Sequence, residues 1–416
     1  MRQSELFTKT RKEGPKDETS KNASLLVRAG FISKEMAGVY SYLPLGLRVL
    51  KKIENIIRQE MEAIGGQEVL LTSLQDPRIW KQSGRWNDEV MDIWFKTKLK
   101  SGGELGIANT HEEPLTEILK NHIQSHRDLP IYIYQFQTKF RNELRAKSGI
   151  LRCREFLMKD LYSFSKTEKE FRDFYEKCAK AYIRIFKRTG IGHLTYRTLA
   201  SGGSFTQGFT DEFQVLTEAG EDIIFIDQKK KIAINKEVYS DKSLKRLNLK
   251  GSELVERKAV EVGNIFPLGT RYSEALGLKY KDKEGKEEPV IMGSYGIGLG
   301  RLMGTVAETL SDENGLCWPE EIAPFKVQIV SVGEDRDVMK ESLSVYKKLS
   351  GEGVEVLYDD RNLSPGEKFK ESDLLGIPWR VVISRKTLSE KKLELKDRKM
   401  GKVKNLSFDQ LLKNIK

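Results

Sequence analysis

The chain has 416 residues, of which 38% are hydrophobic and 32% charged, and its formal net charge is +11. This composition is typical of a folded protein with two or three domains and excludes a disordered chain. No stretch approaches the roughly 20 apolar residues of a membrane span, and the polar first 20 residues lack a secretion signal. Cys153, Cys178 and Cys317 lie far apart and the histidines lack zinc-ligand spacing. We therefore expect a cytoplasmic protein without disulfides or zinc.

The positive charge is concentrated at the C-terminal end. Residues 380–416 contain 12 Lys or Arg and only 4 Asp or Glu. For the chain as a whole, a mildly basic surface is as easily explained by a need for solubility as by binding to a polyanion. This local surplus favours contact with a polyanion, with nucleic acid first.

The first predicted helix follows Pro44, where apolar residues recur at three- and four-residue steps as far as Ile64. Two glycines end it, and residues 67–74 are predicted to form a strand. A long helix that leads into a strand is typical either of plain scaffold or of a dimer interface.

The middle of the chain is predicted to contain two antiparallel strands within residues 131–165, because two runs rich in β-branched and aromatic residues flank a basic loop. A helix is predicted over 169–188. The Lys-rich residues 228–258 are interpreted as a surface connection or a small excursion.

The C-terminal part is predicted to be a separate small α/β domain. Two prolines precede it at 319 and 324. Three apolar runs then alternate with helices near 337–350 and 366–375, which predicts a largely parallel sheet.

Charged residues are concentrated on the predicted strands of 131–165. Arg141 and Glu143 are two positions apart, so on a strand both side chains would point to one face. With Arg152 and further basic residues nearby, they indicate a wet cleft or a polyanionic ligand rather than a core. A guanidinium suits phosphate or carboxylate oxygens, and Phe156 could stack on a base.

Residues 134–164 resemble motif 2 of the class II aminoacyl-tRNA synthetases, and the whole string is similar to that of the prolyl enzymes of the bacterial type. The resemblance implies that Arg141 holds the α-phosphate of ATP and the carboxylate of proline. It also implies that Glu143 recognises the adenine, Arg152 clamps the γ-phosphate and Phe156 stacks on the adenine ring.

Residues 291–310 resemble motif 3 of the same class. Their glycines alternate up to Arg301, unlike those of the dinucleotide-binding GxGxxG pattern. The resemblance implies that glycines such as Gly298 let the backbone approach ATP and that Arg301 opposes the triphosphate. ATP is then a substrate, and Mg²⁺ is expected to bind through it.

Residues 109–113 (NTHEE) are similar to the TxE loop of the prolyl family. A buried carboxylate can hold an ammonium group, and a hydroxyl can fix its direction. The resemblance implies that Thr110 and Glu112 bind the amine of proline. It also implies that Met158 and Ser294 line the proline pocket.

Residues 201–213 depart from the family pattern, which more often has a shorter loop with a histidine at the position of Asp211. We expect this loop to close differently over the amino acid. The contacts expected from it are an apolar wall from Phe205 and Phe209 and ATP contacts from Gln207 and Thr210.

The resemblance covers nearly the whole chain and implies an α/β fold. A class II catalytic domain, an antiparallel sheet flanked by helices, is expected over residues 1–323. Motif 1 falls at about 43–75, with Thr72 where a proline is usual. Residues 324–416 resemble the α/β anticodon-binding domain of the prolyl, threonyl, histidyl and glycyl enzymes. The candidates for anticodon contact are Arg361, Lys368 and Lys370.

The expected function is ligation of proline to tRNA(Pro) by a homodimer. Only about residues 222–262 occupy the position of the editing insertion of bacterial prolyl enzymes, so no hydrolysis of alanyl-tRNA in cis is expected. The alternatives are a threonyl-type enzyme of the same subclass and a non-catalytic, tRNA-binding paralogue. The lack of metal-ligand spacing counts against the first, and the four residues Arg141, Glu143, Arg152 and Arg301 count against the second.

Overall fold

The computed structural model describes residues 1–15, 18, 20–144, 146, 148–203, 205–206, 208–333 and 335–415. The helices are α1 (Lys21–Arg28), α2 (Pro44–Glu62), α3 (Pro77–Gln82), α4 (Glu112–Leu119), α5 (Glu168–Arg188), α6 (Asp241–Leu247), α7 (Arg271–Leu276), α8 (Leu299–Leu310), α9 (Arg336–Gly351), α10 (Pro365–Leu375), α11 (Arg385–Ser389) and α12 (Phe408–Ile415). Of the helices in these described ranges, none is long and apolar enough to cross a membrane.

The strands are β1 (Ile32–Met36), β2 (Val39–Tyr42), β3 (Gln67–Glu68), β4 (Leu74–Gln75), β5 (Lys96–Lys98), β6 (Glu104–Ile107), β7 (Ile131–Phe140), β8 (Glu155–Ser165), β9 (Thr195–Ser201), β10 (Phe209–Leu216), β11 (Asp222–Asp227), β12 (Ile232–Asn235), β13 (Val255–Gly269), β14 (Lys279–Lys281), β15 (Glu287–Pro289), β16 (Ile291–Gly298), β17 (Val327–Ser331), β18 (Val356–Asp359), β19 (Trp379–Ile383), β20 (Leu393–Asp397) and β21 (Val403–Leu406).

The chain divides into two compact units that are not continuous in sequence. One comprises Met1–Glu35, Tyr40–Ile53 and Val306–Lys416, and the other comprises Met36–Val39 and Glu54–Thr305. The expected domain boundary at residues 323/324 stays a prediction.

The unit built on residues 54–305 contains a nine-stranded sheet in the order β10-β9-β12-β11-β13-β16-β8-β7-β3. Most neighbours are antiparallel, and the exceptions are the parallel pairs β9–β12 and β3–β7. The predicted antiparallel pair is confirmed, since β7 and β8 pair from Ile131–Phe164 to Phe140–Glu155. The predicted class of fold, an α/β protein with a largely antiparallel central sheet, is likewise confirmed.

Helix α5 confirms the amphipathic pattern predicted over 169–188. The Thr167 hydroxyl caps its N-terminus by accepting a hydrogen bond from the Glu170 amide. Its apolar stripe is buried, and the side chains of Phe174 and Tyr182 are almost fully shielded from solvent. Burying this face supplies most of the free energy that holds such a helix in place.

Two local predictions were wrong. Residues 67–74 do not form one strand, because β3 joins the central sheet whereas β4 pairs with β6 in a small separate sheet. Residues 228–258 are not merely a surface connection, because β12 and the start of β13 lie inside the central sheet. In both places a short or polar pattern concealed the pairing partner, which is distant in sequence.

In the other unit, β17, β18 and β19 are parallel, and β20 and β21 extend the sheet antiparallel. Helices α9 and α10 connect the parallel strands, as predicted. Ser364 caps α10 through a reciprocal bond with Glu367, and Gly376 ends the helix with a positive φ of 70°.

Candidate active site

The guanidinium of Arg141 is held just beyond the end of β7. Its Nε donates to Asn109 Oδ1 at 3.1 Å, and the group lies 5.3 Å from the centre of the Phe156 ring. Burial lowers the pKa of Arg141, and the charge of Arg301 lowers it further. Two arginines therefore face the same space, which favours an anionic ligand.

Glu143 and Arg152 are brought together, but not as strand neighbours. Strand β7 ends at Phe140, and the Glu143 amide donates to the Arg141 carbonyl at 2.8 Å in a tight turn. The prediction that Arg141 and Glu143 share a strand face was therefore wrong. Arg152 also precedes β8, and its guanidinium bridges Glu143 and Glu221 at 2.9 Å each.

Arg301 lies in the first turn of α8, where β16 passes directly into the helix as predicted. Its Nε donates to the Leu151 carbonyl at 2.8 Å, and its Nη1 donates to Glu261 Oε2 at 2.9 Å. The motif 2 and motif 3 arginines thus line the same cleft.

This cleft is open to solvent and lies between β7, β8, β13, β16 and α8. The predicted residues that line it are Arg141, Glu143, Phe156, Met158, Gly298 and Arg301. Gly296 lines it as well, and a side chain there would overlap Met158 and Asn264. The alternation of glycines in motif 3 thus keeps the floor of the cleft open.

Acidic residues that the sequence analysis did not single out lie in and beside the cleft: Glu261 lines it, and Asp222 lines the adjoining depression together with Arg141 and Arg301. The side-chain nitrogen Nε2 of Gln214 donates to carboxylate oxygens of Glu212 and Asp222, both at 2.8 Å. Burial raises the pKa of Glu212 to about 9, with a further contribution from the charge of Glu261. Burial also raises the pKa of Asp222. A raised pKa marks a carboxyl group with too little positive charge around it, and a bound cation would supply that charge.

A second, buried group of polar residues surrounds Glu112. The Thr110 hydroxyl donates to Glu112 Oε2 at 2.7 Å, and the Ser294 hydroxyl donates to Oε1 at 3.3 Å. Asn109 precedes Thr110 and accepts from Arg141, so this group adjoins the cleft. The Asn109 Nδ2 is buried and has no partner among the described residues.

Glu112 and its neighbour Glu113 share one cation that the sequence analysis missed. Arg85 Nη1 lies 3.1 Å from Glu112 Oε2 and 3.1 Å from both oxygens of Glu113. Burial alone would lower the pKa of Arg85, but the charge of Glu113 and the other nearby anions raises it. Burial raises the pKa of Glu113 to about 6.

His111 belongs to a buried network of hydrogen bonds behind the Glu112 group. Its Nε2 is 3.0 Å from the Thr72 carbonyl, and its Nδ1 accepts from Lys139 Nζ at 2.6 Å. Lys139 and the Tyr162 hydroxyl both donate to Asp160 Oδ2 at 2.9 Å. Burial, followed by the charge of Lys139, lowers the pKa of His111 to about 4, so the imidazole is neutral.

The two phenylalanines of the loop at residues 201–213 contact different parts of the structure. Phe205 stacks on Phe266 with ring centres 4.9 Å apart and lies 5.1 Å from Arg85. Phe209 instead lies against Lys242 and Arg246, at 5.7 and 5.4 Å. Phe205 is thus near Glu112, whereas Phe209 contacts a basic helix.

Two further positions of this loop have buried partners. The Thr210 hydroxyl is buried and donates to the Ile265 carbonyl at 2.5 Å, which argues against the predicted contact with ATP. Asp211, where the family more often has a histidine, accepts from Tyr175 and Arg197. Gln207 lies outside the described residues.

In the C-terminal unit, the three anticodon candidates differ in access. Lys368 is only 4% exposed, and its Nζ donates to the Ser331 carbonyl at 2.9 Å, which argues against the predicted anticodon contact. Arg361 is paired with Asp359 and Glu371. Lys370 is exposed.

The site residues that were not predicted have no distinctive sequence pattern when each is considered alone. Arg85 stands between Trp80 and Trp86, and an arginine beside tryptophans has many explanations. Glu212, Asp222 and Glu261 occur in unremarkable strand patterns. Their proximity depends on β10, β11 and β13 being neighbours in the sheet.

Two protein families match this chain. Residues 95–310 match the tRNA synthetase class II core domain (G, H, P, S and T), and residues 326–416 match the anticodon binding domain. The proline–tRNA ligase of Rickettsia akari (strain Hartford) is 35% identical over 99% of both chains. That of Ehrlichia ruminantium (strain Gardel) is 36% identical over 100% of both.

The fold is similar to that of a solved prolyl-tRNA synthetase from Cryptosporidium parvum, in complex with halofuginone and AMPPNP. The TM-score is 0.79 at 18% identity, covering 95% of this chain and 75% of that one. A second structure of that enzyme, with L-proline and AMP, has a TM-score of 0.76. Sequence identity over the full length, together with the two matched families and this fold, shows that the chain belongs to the prolyl-tRNA synthetase (proline–tRNA ligase) family of class II aminoacyl-tRNA synthetases.

Proposed function

We propose that this chain is a proline–tRNA ligase that charges tRNA(Pro) in two steps. A carboxylate oxygen of proline first attacks the α-phosphorus of ATP, the bond to the bridging oxygen breaks, and pyrophosphate leaves. A hydroxyl of the terminal tRNA ribose then attacks the acyl carbon, and AMP leaves. The observation that carries the proposal is the buried Thr110–Glu112–Ser294 group beside the cleft of Arg141 and Arg301.

The two steps need positioning and charge stabilisation more than acid–base chemistry. Arg141 contacts both the α-phosphate and the substrate carboxylate, and Arg301 stabilises the negative charge that develops on the phosphoryl oxygens. Glu143 recognises the adenine, Phe156 stacks on it, and Arg152 binds the γ-phosphate. Because Arg152 is paired with Glu143 and Glu221, it has to exchange those partners for the phosphate.

The proline site is built around the carboxylate of Glu112. A secondary ammonium fits between this carboxylate and the Thr110 hydroxyl. Ser294 and Met158 border the site, and Phe205 supplies an apolar wall. Phe209 is the weaker candidate for this wall, because its ring lies against Lys242 and Arg246.

Mg²⁺ fits the acidic border of the nucleotide cleft. Within the described residues there is no set of three or more metal-ligating side chains arranged around one point. The ion would therefore be held mainly by the phosphates, with Glu212 and Glu261 as the nearby carboxylates. When bound, it neutralises phosphate charge.

A homodimer is part of the proposal, and one surface supports it. Strand β3 is the terminal strand of the nine-stranded sheet. Leu70 and Leu74, in the segment that follows it, are 77% and 58% exposed, and Ile118 is 44% exposed. An exposed sheet edge with apolar side chains is suited to a second copy of the chain. The double variant L70E/L74E should sediment as a monomer if this is the interface.

The absence of cis-editing is also proposed. Residues 222–262 are largely taken up by β11, β12, α6 and the start of β13. Alanine lacks two ring carbons of proline, and each lost carbon is worth only about 1–3 kcal/mol of discrimination, so alanine should be activated measurably. Incubation of alanyl-tRNA(Pro) with the pure protein should leave the ester intact, and its enzymatic hydrolysis would contradict the proposal.

Pyrophosphate exchange tests the proposed function and its alternatives together. Exchange should depend on proline, and transfer to tRNA(Pro) should follow. Exchange driven by threonine would replace proline by threonine as the substrate. No exchange with any amino acid would favour the non-catalytic paralogue. A cytoplasmic location and the domain limits 1–323 and 324–416 complete the proposal.

A further inference from the structure

Arg85 is an enclosed cation at the back of the Glu112 carboxylate. Its side chain is 0% exposed, and those of Glu112 and Glu113 are 1% and 0% exposed. One nitrogen, Nη1, makes all three contacts to the two carboxylates at 3.1 Å. The Arg85 guanidinium therefore supplies the positive charge that two buried carboxylates at this depth require.

The rest of the guanidinium is enclosed by aromatic rings. It lies 5.3 Å from Trp80, 5.1 Å from Phe205 and 5.2 Å from Tyr272, measured to the ring centres. Its Nε and Nη2 have no hydrogen-bond partner among the described residues. The three rings therefore hold the guanidinium plane in place and accept no hydrogen bond that the carboxylates would lose.

Glu112 consequently has two differently occupied oxygens. Oε2 accepts from Arg85 and from the Thr110 hydroxyl, whereas the one contact of Oε1 among the described residues is the longer one of 3.3 Å from Ser294. With both glutamates ionised, the cluster of Arg85, Glu112 and Glu113 has a formal charge of −1. A ligand that carries one ammonium group balances that charge.

We propose that Arg85 is a positioning residue for the amino-acid site: it holds Glu112 in one rotamer and joins that carboxylate to Phe205 of the loop beside it. This role rests on the proposed function, because the ammonium to be bound is that of proline. Arg85 itself contacts the carboxylate and not the substrate. Its removal would leave the carboxylates of Glu112 and Glu113 buried side by side without the cation that pairs with both, and Glu112 would no longer be held in the position that binds the ammonium.

The test compares R85M and R85K with the wild type in proline-dependent pyrophosphate exchange. R85M should raise the KM for proline by at least about 30-fold, in line with the loss of one partner of a buried charge pair. R85K keeps the charge but loses the planar guanidinium that packs among Trp80, Phe205 and Tyr272, so about a 10-fold rise is expected. The KM for ATP should stay within about threefold of the wild type in both, since Arg85 does not line the nucleotide cleft.

R380M is the matched control for the loss of a buried arginine. Arg380 is 9% exposed and pairs with Asp373 in the other compact unit. Its loss should lower the Tm without changing the KM for proline. A double variant R85M/E112Q should bind proline no more weakly than E112Q alone, because Arg85 acts through Glu112.

The positioning role is overturned if R85M, or R85K where R85M does not fold, leaves the KM for proline unchanged. It is also overturned if the two KM values rise together. A wild-type protein that shows no exchange with proline would instead refute the proposed function. The two failures are therefore distinguishable.

Discussion

The nucleotide cleft and the pocket around Glu112 adjoin each other, but their charges are solvated differently. In the cleft, Arg152 has a side chain 44% exposed and Arg301 one 30% exposed. Around Glu112, the side chains of Arg85, Glu113 and Lys139 are at most 1% exposed. Exposed ion pairs contribute about 0–1 kcal/mol and exchange readily, whereas a broken buried pair costs about 3–5 kcal/mol.

This difference separates two tasks. In a cleft that binds a triphosphate, the arginines must exchange their carboxylate partners for phosphate oxygens. Weak, solvent-exposed ion pairs are suitable there. A pocket that selects one small amino acid must keep its polar groups in place before the ligand arrives. Substitutions in the pocket should therefore affect stability, and those in the cleft should affect catalysis.

The largest effect is expected from D160N. Asp160 accepts hydrogen bonds from Lys139, Tyr162 and Gln135. The loss of its charge leaves the Lys139 ammonium buried without an anion and should cost about 3–5 kcal/mol in urea unfolding. D173N, which breaks an exposed pair with Lys169 on α5, should cost less than about 1 kcal/mol. Equal stability of the two variants would remove the contrast between buried and exposed ion pairs.

R301K tests the cleft side of the comparison. Lysine keeps the charge but loses the fork that contacts the Leu151 carbonyl and Glu261. The kcat of exchange should fall about 100- to 1000-fold, the usual cost of losing a donor to a developing negative charge. The Tm should change by only a few degrees. A large loss of Tm with normal kcat would show that the cleft arginine is structural.

The neutral state of His111 predicts how stability depends on pH. Its pKa is lowered from 6.5 to about 4 in the folded protein, so on acidification the unfolded chain binds a proton first. Stability should therefore fall as the pH drops from 6.5 towards 4, by about 3 kcal/mol from this group. H111Q should show a flatter dependence than the wild type in denaturant titrations over that range. Parallel curves for the two proteins would contradict this assignment.

The smallest effect is expected from R152Q. The variant loses two exposed ion pairs, so its free energy of unfolding should change by less than about 1 kcal/mol. Its KM for ATP should rise a few-fold, with the KM for proline unchanged. An unaltered KM for ATP would remove Arg152 from the triphosphate site.

Much of the site was predictable because it lies in continuous segments. The β7–β8 pair could be predicted from its β-branched and aromatic runs, and the passage from β16 into α8 from its glycines. Thr110 and Glu112 are two residues apart and meet the same neighbours. In each case the residues involved are close together in the sequence, so their relative positions in the fold follow from the local secondary structure.

The sequence by itself therefore determined the class of fold and the family, and it predicted Arg141, Glu143, Phe156 and Arg301, which line one cleft. Only the tertiary structure decided which buried charges share a partner. It brings Arg85 to Glu112 from 27 positions away and Glu261 to Arg301 from 40 positions away, and it turns Lys368 inward. The physical reason is that the residues next to a charged side chain in the sequence do not reveal whether that side chain is exposed or buried in the fold. The cost of desolvation depends on the elements that pack around it.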